Sequence, residues 1–398
     1  MPHMTRIIFI LLLLINALFY ISCSKNSIIG DGAAPSIGIT DSYSGSGGGN
    51  GGGDTTIHAG VITAGEWNDL NHWDFWKKLF DNDTINAFPA AWGFYTDNRI
   101  TVVLKDASGK LLHDAHVSLT YNGQTITAKT DNSGKAELFP GLFDNVLNHA
   151  GFTLKAAYNN QTFNLGSISG NENSIEKSIP VNKVTNNTVD ISFVVDATGS
   201  MGDEISYLKN ELADVINRAG TQLPGTQIRM SSVFYRDLTD AYVTKPFSFT
   251  TDANSLINFV KDQSAEGGDD YPEAVDLGLE KAIDDLQWSD KAINRIIFLV
   301  LDAPPHTGQD NITRIHKAVE DAQQKGICII PISASGIDKS TEFFLRFLSV
   351  STNGTYVFIT DDSGIGSPHL KPTVGNYTVE FLNNLMVRLI AQYGKNND

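Results

Sequence analysis

From about residue 188 the chain alternates short, nearly unbroken apolar runs with amphipathic stretches. The apolar runs cover 191–195, 228–234, 296–301, 327–332 and 356–359. Runs of this length, too short for helices and near-continuously apolar, predict strands buried on both faces. The stretches between them carry apolar residues at helical spacing. In 203–218, Ile205, Leu208, Leu212, Val215 and Ile216 mark one face, and Gly202-Asp203 forms a start signal. Strand and helix in alternation predict an α/β fold, a mostly parallel sheet covered on both faces by helices. Before residue 188 the period changes. Segments 100–104, 115–119 and 125–129 are short and β-patterned, separated by Ser108-Gly109 and Asn122-Gly123 turns and followed by a Ser133-Gly134 turn. That pattern predicts an antiparallel all-β sandwich.

In open parallel sheets, ligands gather beyond the carboxyl ends of the strands. Two predicted strands end there in aspartates, Asp196 and Asp302. Asp196 is followed at alternate positions by Thr198 and Ser200, so three oxygen-bearing side chains can point at one spot. Between these motifs lies an acidic glycine-rich loop, Glu266-Gly267-Gly268-Asp269-Asp270-Tyr271-Pro272-Glu273. Carboxylates brought together at one sheet edge repel each other, and a divalent cation neutralises them. Hard oxygen donors suit Mg²⁺ or Mn²⁺.

The motif Asp196-x-Thr198-x-Ser200, with Asp302 after a later strand and the glycine-rich loop between, resembles the von Willebrand factor A (VWA) domain. The resemblance implies a Rossmann-like, doubly wound sheet and a metal-ion-dependent adhesion site. Asp196, Thr198, Ser200 and Asp302 would be its ligands. Its cofactor would be Mg²⁺, or Mn²⁺ or Ca²⁺, and its partner a protein presenting Asp or Glu. The usual middle threonine is replaced here, and the loop resembles a subgroup with Gly-Gly-Gly-Asp-x-Pro-Glu. Spacing from the double glycine points to Asp269 as the middle ligand, the subgroup pattern to Asp270. Glu273 and His306 would brace the site from behind. The strands and Asp-x-x-Gly turns before residue 188 resemble carboxypeptidase-regulatory-like and related immunoglobulin-like domains, which are mostly spacers.

The N-terminus has one arginine, Arg6, and then an apolar run over 7–21, shorter than the roughly 20 residues that span a bilayer. It reads as a signal peptide, 1–22. Ser22-Cys23 at its end resembles a bacterial lipoprotein processing site, with Cys23 as the lipidated residue. Segment 23–59 is rich in glycine and serine and predicts a tether, with an end-to-end distance of about 30 Å. The only other cysteine is Cys328, within an apolar run, so it reads as a small core residue. Four of the five tryptophans, Trp67, Trp73, Trp76 and Trp92, fall within 63–94. They predict packing at a domain edge, with glycan binding as the alternative, and 66–80 predicts a short helix.

With 398 residues and 41% hydrophobic composition, the chain can form two cores. The boundaries read as 1–22 leader, 23–59 tether, 60–183 tryptophan-rich segment with sandwich, and 187–396 VWA domain. A net charge of −16 excludes nucleic acid and anionic lipid as ligands attracted at long range. Phosphate-loop, Cys-x-x-Cys and His-Glu-x-x-His motifs are absent. The reading is a lipid-anchored bacterial envelope protein, at the outer membrane or cell surface or facing the periplasm, that binds a protein through a cation and is not an enzyme. Two alternatives stand beside it: a metal-assisted hydrolase using Glu273 or His306 as base, and a non-adhesive assembly scaffold.

Overall fold

The structure is a computed structural model that describes residues 58–144, 151–169, 173–268 and 271–397. The leader, Cys23 and nearly all of the tether lie outside the described residues.

The chain enters along β1 (Thr63–Trp67), passes α1 (Trp73–Leu79) and α2 (Phe88–Trp92), and continues through β2 (Ile100–Lys105), β3 (His116–Tyr121), β4 (Gln124–Lys129), β5 (Lys135–Leu138), β6 (Phe152–Tyr158), β7 (Gln161–Ile168) and β8 (Ser174–Ser178). The remainder comprises β9 (Thr188–Asp196), α3 (Ile205–Gln222), β10 (Gln227–Tyr235), β11 (Thr244–Thr250), α4 (Ala253–Lys261), α5 (Val275–Glu280), β12 (Asn294–Leu301), α6 (Gln309–Lys325), β13 (Ile327–Ser333), α7 (Lys339–Ser351), β14 (Tyr356–Ile359), β15 (Val379–Phe381) and α8 (Leu382–Gly394).

An eight-stranded sheet has the order β11-β10-β9-β12-β13-β14-β1-β15. Its centre, β10 to β14, is parallel, and the flanking pairs of β11, β1 and β15 are antiparallel. Strand β12 shows why its sequence is apolar throughout. Ile296, Phe298 and Val300 enter a core shared with α3, α4 and α8. Ile297, Leu299 and Leu301 enter the opposite core, shared with α1, α5, α6 and α7. Each large side chain so buried stabilises the fold by about 1.5–3 kcal/mol relative to exposure. Cys328 is buried in the first of these cores.

The segment before residue 188 forms a three-stranded sheet, β5-β2-β8, and a four-stranded sheet, β4-β3-β6-β7. Val102, Leu138 and Ile175 of the first meet Val117, Leu119 and Leu154 of the second in one apolar cluster. The β3–β4 hairpin turns at Asn122 and Gly123, both at positive φ, as a tight two-residue hairpin requires.

The tryptophan-rich segment departs from the expected grouping with these small sheets. It belongs to the large sheet: β1 pairs with β14 and β15, so residues 66 and 67 are strand and the helix starts only at Trp73. Trp76 packs on Phe343 and Phe347 of α7, and Trp92 packs on Phe344. The faces of Trp76 and Trp92 are thus committed to packing. Glu211 of α3, fully buried, accepts the backbone N–H groups of Gly60, Val61 and Ile62 at 2.9–3.1 Å. A boundary at residue 187 would therefore strip a strand from the sheet and leave Glu211 buried without its donors.

Candidate functional site

Strands β9 and β12 lie side by side, Val195 opposite Val300, so both aspartates that follow emerge at the same edge. Asp196 is fully buried and Asp302 nearly so. Asp196 Oδ1 accepts the Thr198 N–H at 2.9 Å and the Thr198 hydroxyl at 2.7 Å. The Thr198 and Ser200 hydroxyl oxygens are 3.2 Å apart. Asp196 Oδ2 and Asp302 Oδ1 are buried and have no hydrogen-bond partner; nor does Glu273 Oε2. Orphaned buried carboxylate oxygens are expensive, so their clustering at one edge is informative.

The charges act on one another. Burial raises the Asp196 carboxyl to about 6, against the opposing bonds from Thr198. Burial, and then the Asp196 charge, push Asp302 up to about 8, with the Ser200 hydroxyl pulling the other way. Glu273 is pushed up to about 9 by burial first and then by Asp196, Asp237, Asp302 and Asp240. The buried Tyr235 phenol is raised well above its usual range by burial and then by the charges of Asp196, Asp302 and Glu273.

The glycine-rich loop fits this site by close backbone approach. Gly267 and Gly268 have φ of +80° and +71°. A Cβ on Gly267 would strike the Asp240 carboxylate, and one on Gly268 would lie 2.6 Å from Glu273 Oε1 and 2.8 Å from Thr198 Cβ. No side chain is tolerated there. The loop is tied to the first motif by Gly199 N–H to Gly267 O at 2.9 Å and Glu266 N–H to Ala197 O at 3.1 Å. The Glu273 N–H donates to Pro304 O at 2.9 Å, which draws the loop to the segment after Asp302. Asp269 and Asp270 lie outside the described residues.

Of the residues expected from sequence, Thr198, Ser200 and Glu273 join Asp196 and Asp302 at this edge. His306 Nε2 is 2.7 Å from Asp237 Oδ1, and Asp237 in turn acts electrostatically on Asp196 and Glu273. Several groups went unread. Asp237 lies just past β10, the strand next to β9, so the logic that singled out Asp196 and Asp302 reaches it too. Asp240 accepts the N–H groups of Asp237 and Gly268 and so anchors the loop. Glu204, just ahead of α3, accepts Ser335 N–H at 3.1 Å and lies 3.0 Å from His369 Nε2. The other ring nitrogen of His369 is 2.9 Å from Asp361 Oδ1. Burial would lower His369, but its bonds to Glu204 and Asp361 outweigh this and raise it. Nothing local in the sequence marks that bridge.

Among the described residues no three Asp, Glu, His or Cys side chains converge to hold a metal ion. The donors at the edge are instead two carboxylates with two hydroxyls. This hard-oxygen set, with unsatisfied carboxylate oxygens, fits Mg²⁺ or Mn²⁺, ions that keep several waters and need few protein ligands. Also among the described residues, no helix is long and apolar enough to cross a membrane.

Comparison with known proteins agrees with the fold. Residues 190–364 match the family described as von Willebrand factor A domain. The chain is 31% identical over 129 residues to an ariadne-like RING finger protein of Acanthamoeba polyphaga mimivirus, covering 32% of this chain and 12% of that protein. It is 29% identical over 119 residues to the alpha-protein kinase vwkA of Dictyostelium discoideum, covering 30% of this chain and 19% of that one. It thus spans less than a fifth of either relative. Among solved structures, an aerotolerance-related membrane protein from Bacteroides fragilis shares 13% identity at a TM-score of 0.34, over 52% of this chain and 98% of that one. Proximal thread matrix protein 1 of the mussel byssus shares 17% at 0.34, over 52% and 46%. Likenesses of that size carry no weight for this chain. The family match and the parallel sheet with its strand-end motif together identify residues 190–364 as a von Willebrand factor A domain.

Proposed function

We propose that this domain binds a protein ligand through a divalent cation held at the ends of β9 and β12. The observation that carries the reading is the pair of buried, unpartnered carboxylate oxygens on Asp196 and Asp302, flanked by the Thr198 and Ser200 hydroxyls. Mg²⁺ or Mn²⁺ would neutralise these charges and offer an acceptor for a partner's Asp or Glu. Thr198 fixes the Asp196 carboxylate by two hydrogen bonds, so Asp196 is oriented before any ion arrives. Asp269 or Asp270 would complete the set.

The family match supports recognition over hydrolysis, since von Willebrand factor A domains are in general adhesion or protein-interaction modules. The hydrolase alternative would have to use Glu273, or His306 with its Asp237 partner at 2.7 Å, as base. A lipid anchor at Cys23 and an envelope location belong to the same proposal, resting on the N-terminal sequence. Cys23→Ser should move the protein from the membrane fraction to the soluble one; retention in the membrane would remove the anchor from the reading.

The decisive measurement is thermal melting of the full chain with and without millimolar Mg²⁺ or Mn²⁺. An ion that binds only the folded state at a hundred times its Kd stabilises by about 2.7 kcal/mol. The melting temperature should rise, and Asp196→Ala should abolish the rise. An unchanged wild-type melting temperature would overturn the cation-dependent reading.

A further inference from the structure

At the opposite end of the large sheet lies a groove of about 490 Å³ between β1, the segment before β15, and α8. Trp67 pairs with Tyr356, the first residue of β14, so this groove sits at the amino ends of the parallel strands. The aspartate cluster sits at their carboxyl ends. The groove is separate from that site in place and in chemistry.

Its walls are two fixed aromatic surfaces. Tyr377, 41% exposed, is one of few large hydrophobic side chains left at the surface. Its ring stands edge-on to Phe358 at 4.8 Å and 89°. His72 lies flat on Trp67 at 4.0 Å and 19°, with Nδ1 held by Asn68 O at 2.9 Å. Trp67 is itself fixed by its Nε1–H to Asp69 at 3.0 Å. Planes held this way lose little freedom when a ligand stacks on them.

The charged groups in the groove are paired with one another. Arg388 donates to Glu66 at 2.8 Å and to Glu380 at 2.7 Å. Two carboxylates share one guanidinium, which leaves a net charge of −1 and disfavours phosphates and other anions. The exposed side-chain amides of Asn71, Asn376 and Gln392 line the same groove. Each offers two donors and an acceptor, and none is engaged by a protein group among the described residues. Few aliphatic side chains line it, so a purely apolar ligand finds no bed.

A ligand suited to this set must be uncharged, carry an apolar face for the rings, and present hydroxyls for planar amides. Sugar rings have that chemistry, and the volume falls in the range of small-molecule sites, about 300–1,000 Å³. We infer that the groove between Tyr377 and His72 binds a neutral oligosaccharide of two or three rings. This inference does not rest on the cation-dependent reading.

The test begins with the full chain on an array of neutral and acidic glycans, followed by calorimetric titration of the best neutral oligosaccharide. Saturable binding is expected, weakened at least tenfold by Tyr377→Ala and by the pair Asn71→Ala with Asn376→Ala, and retained in Tyr377→Phe. Thermal melting of each variant checks that it is folded. EDTA and Asp196→Ala should leave the affinity unchanged, so failure here is distinct from failure of the metal site. Failure to retain any neutral glycan, a preference for acidic glycans, or affinity indifferent to Tyr377→Ala would each overturn the assignment.

Discussion

Two clusters of buried charge lie on the same domain and are built in opposite ways. Around α7, Arg346 is fully buried and donates to both oxygens of Asp69, at 2.9 and 2.7 Å. It also reaches Thr373 O at 2.8 Å and lies over Trp76 at 4.9 Å. Beside it, Glu342 accepts the Thr373 N–H and Lys339 Nζ. Every charge there has a partner. At the strand ends, Asp196, Glu273 and Asp302 crowd together, each with an unbonded oxygen and a carboxyl pushed upward. The first cluster ties the tryptophan-rich segment to the sheet. The second is unbalanced by itself, and the proposed cation would offset its charge.

The largest effect should come from breaking the matched cluster. Arg346→Met leaves Asp69 and Glu342 buried beside an apolar chain, and removing one partner of such a network costs about 3–5 kcal/mol. Urea unfolding measures this, and a loss under about 1 kcal/mol would erase the contrast between the clusters.

Relieving the unmatched cluster should do the reverse. Its carboxyls keep protons in the folded state that the unfolded chain releases above about pH 4. The folded state then holds more protons, so stability of the cation-free protein falls as pH rises from about 4 to about 8–9. Asp302→Asn removes part of that penalty. It should stabilise the cation-free protein at pH 8 by on the order of 1 kcal/mol and remove the Mg²⁺ response. Melting curves from pH 4 to 9 with EDTA test both; a variant less stable than wild type at pH 8 would mean that the cluster is not strained.

The smallest effect concerns the His369 bridge. Its folded pKa is raised, so its contribution is fully present below the unfolded value near 6.5 and fades as pH rises through the folded value. His369→Gln should cost under about 1 kcal/mol at pH 5.5 and nothing at pH 9. A pH-independent loss would make the residue a packing element instead of a charge bridge.

Much of the VWA domain was legible because its signals are local. The run 296–301 is apolar at every position, and β12 is buried on both faces. Asp196 and Asp302 were readable as strand-end residues since the apolar run stops at each. Asp237 escaped only because the apolar run was read as ending at Phe234, whereas β10 continues to Tyr235. Residues 66–67 were misread as helix because β1 is short and its partners are distant in sequence. Pairing with β14 and β15 outweighs the local helical spacing.

By itself, the sequence determined the alternation of strand and helix, the change of period near residue 188, and the order of the oxygen-bearing motifs. Each depends on residues a few positions apart, where side-chain direction follows the backbone period. Only the tertiary structure decided that β1 completes the large sheet, that Glu211 holds residues 60–62, and that His369 joins Glu204 to Asp361. It also decided which oxygens of Asp196 and Asp302 are left without partners. These outcomes depend on groups separated by up to about 300 residues, and whether a buried charge is matched is a property of the packed neighbourhood, which no local pattern encodes.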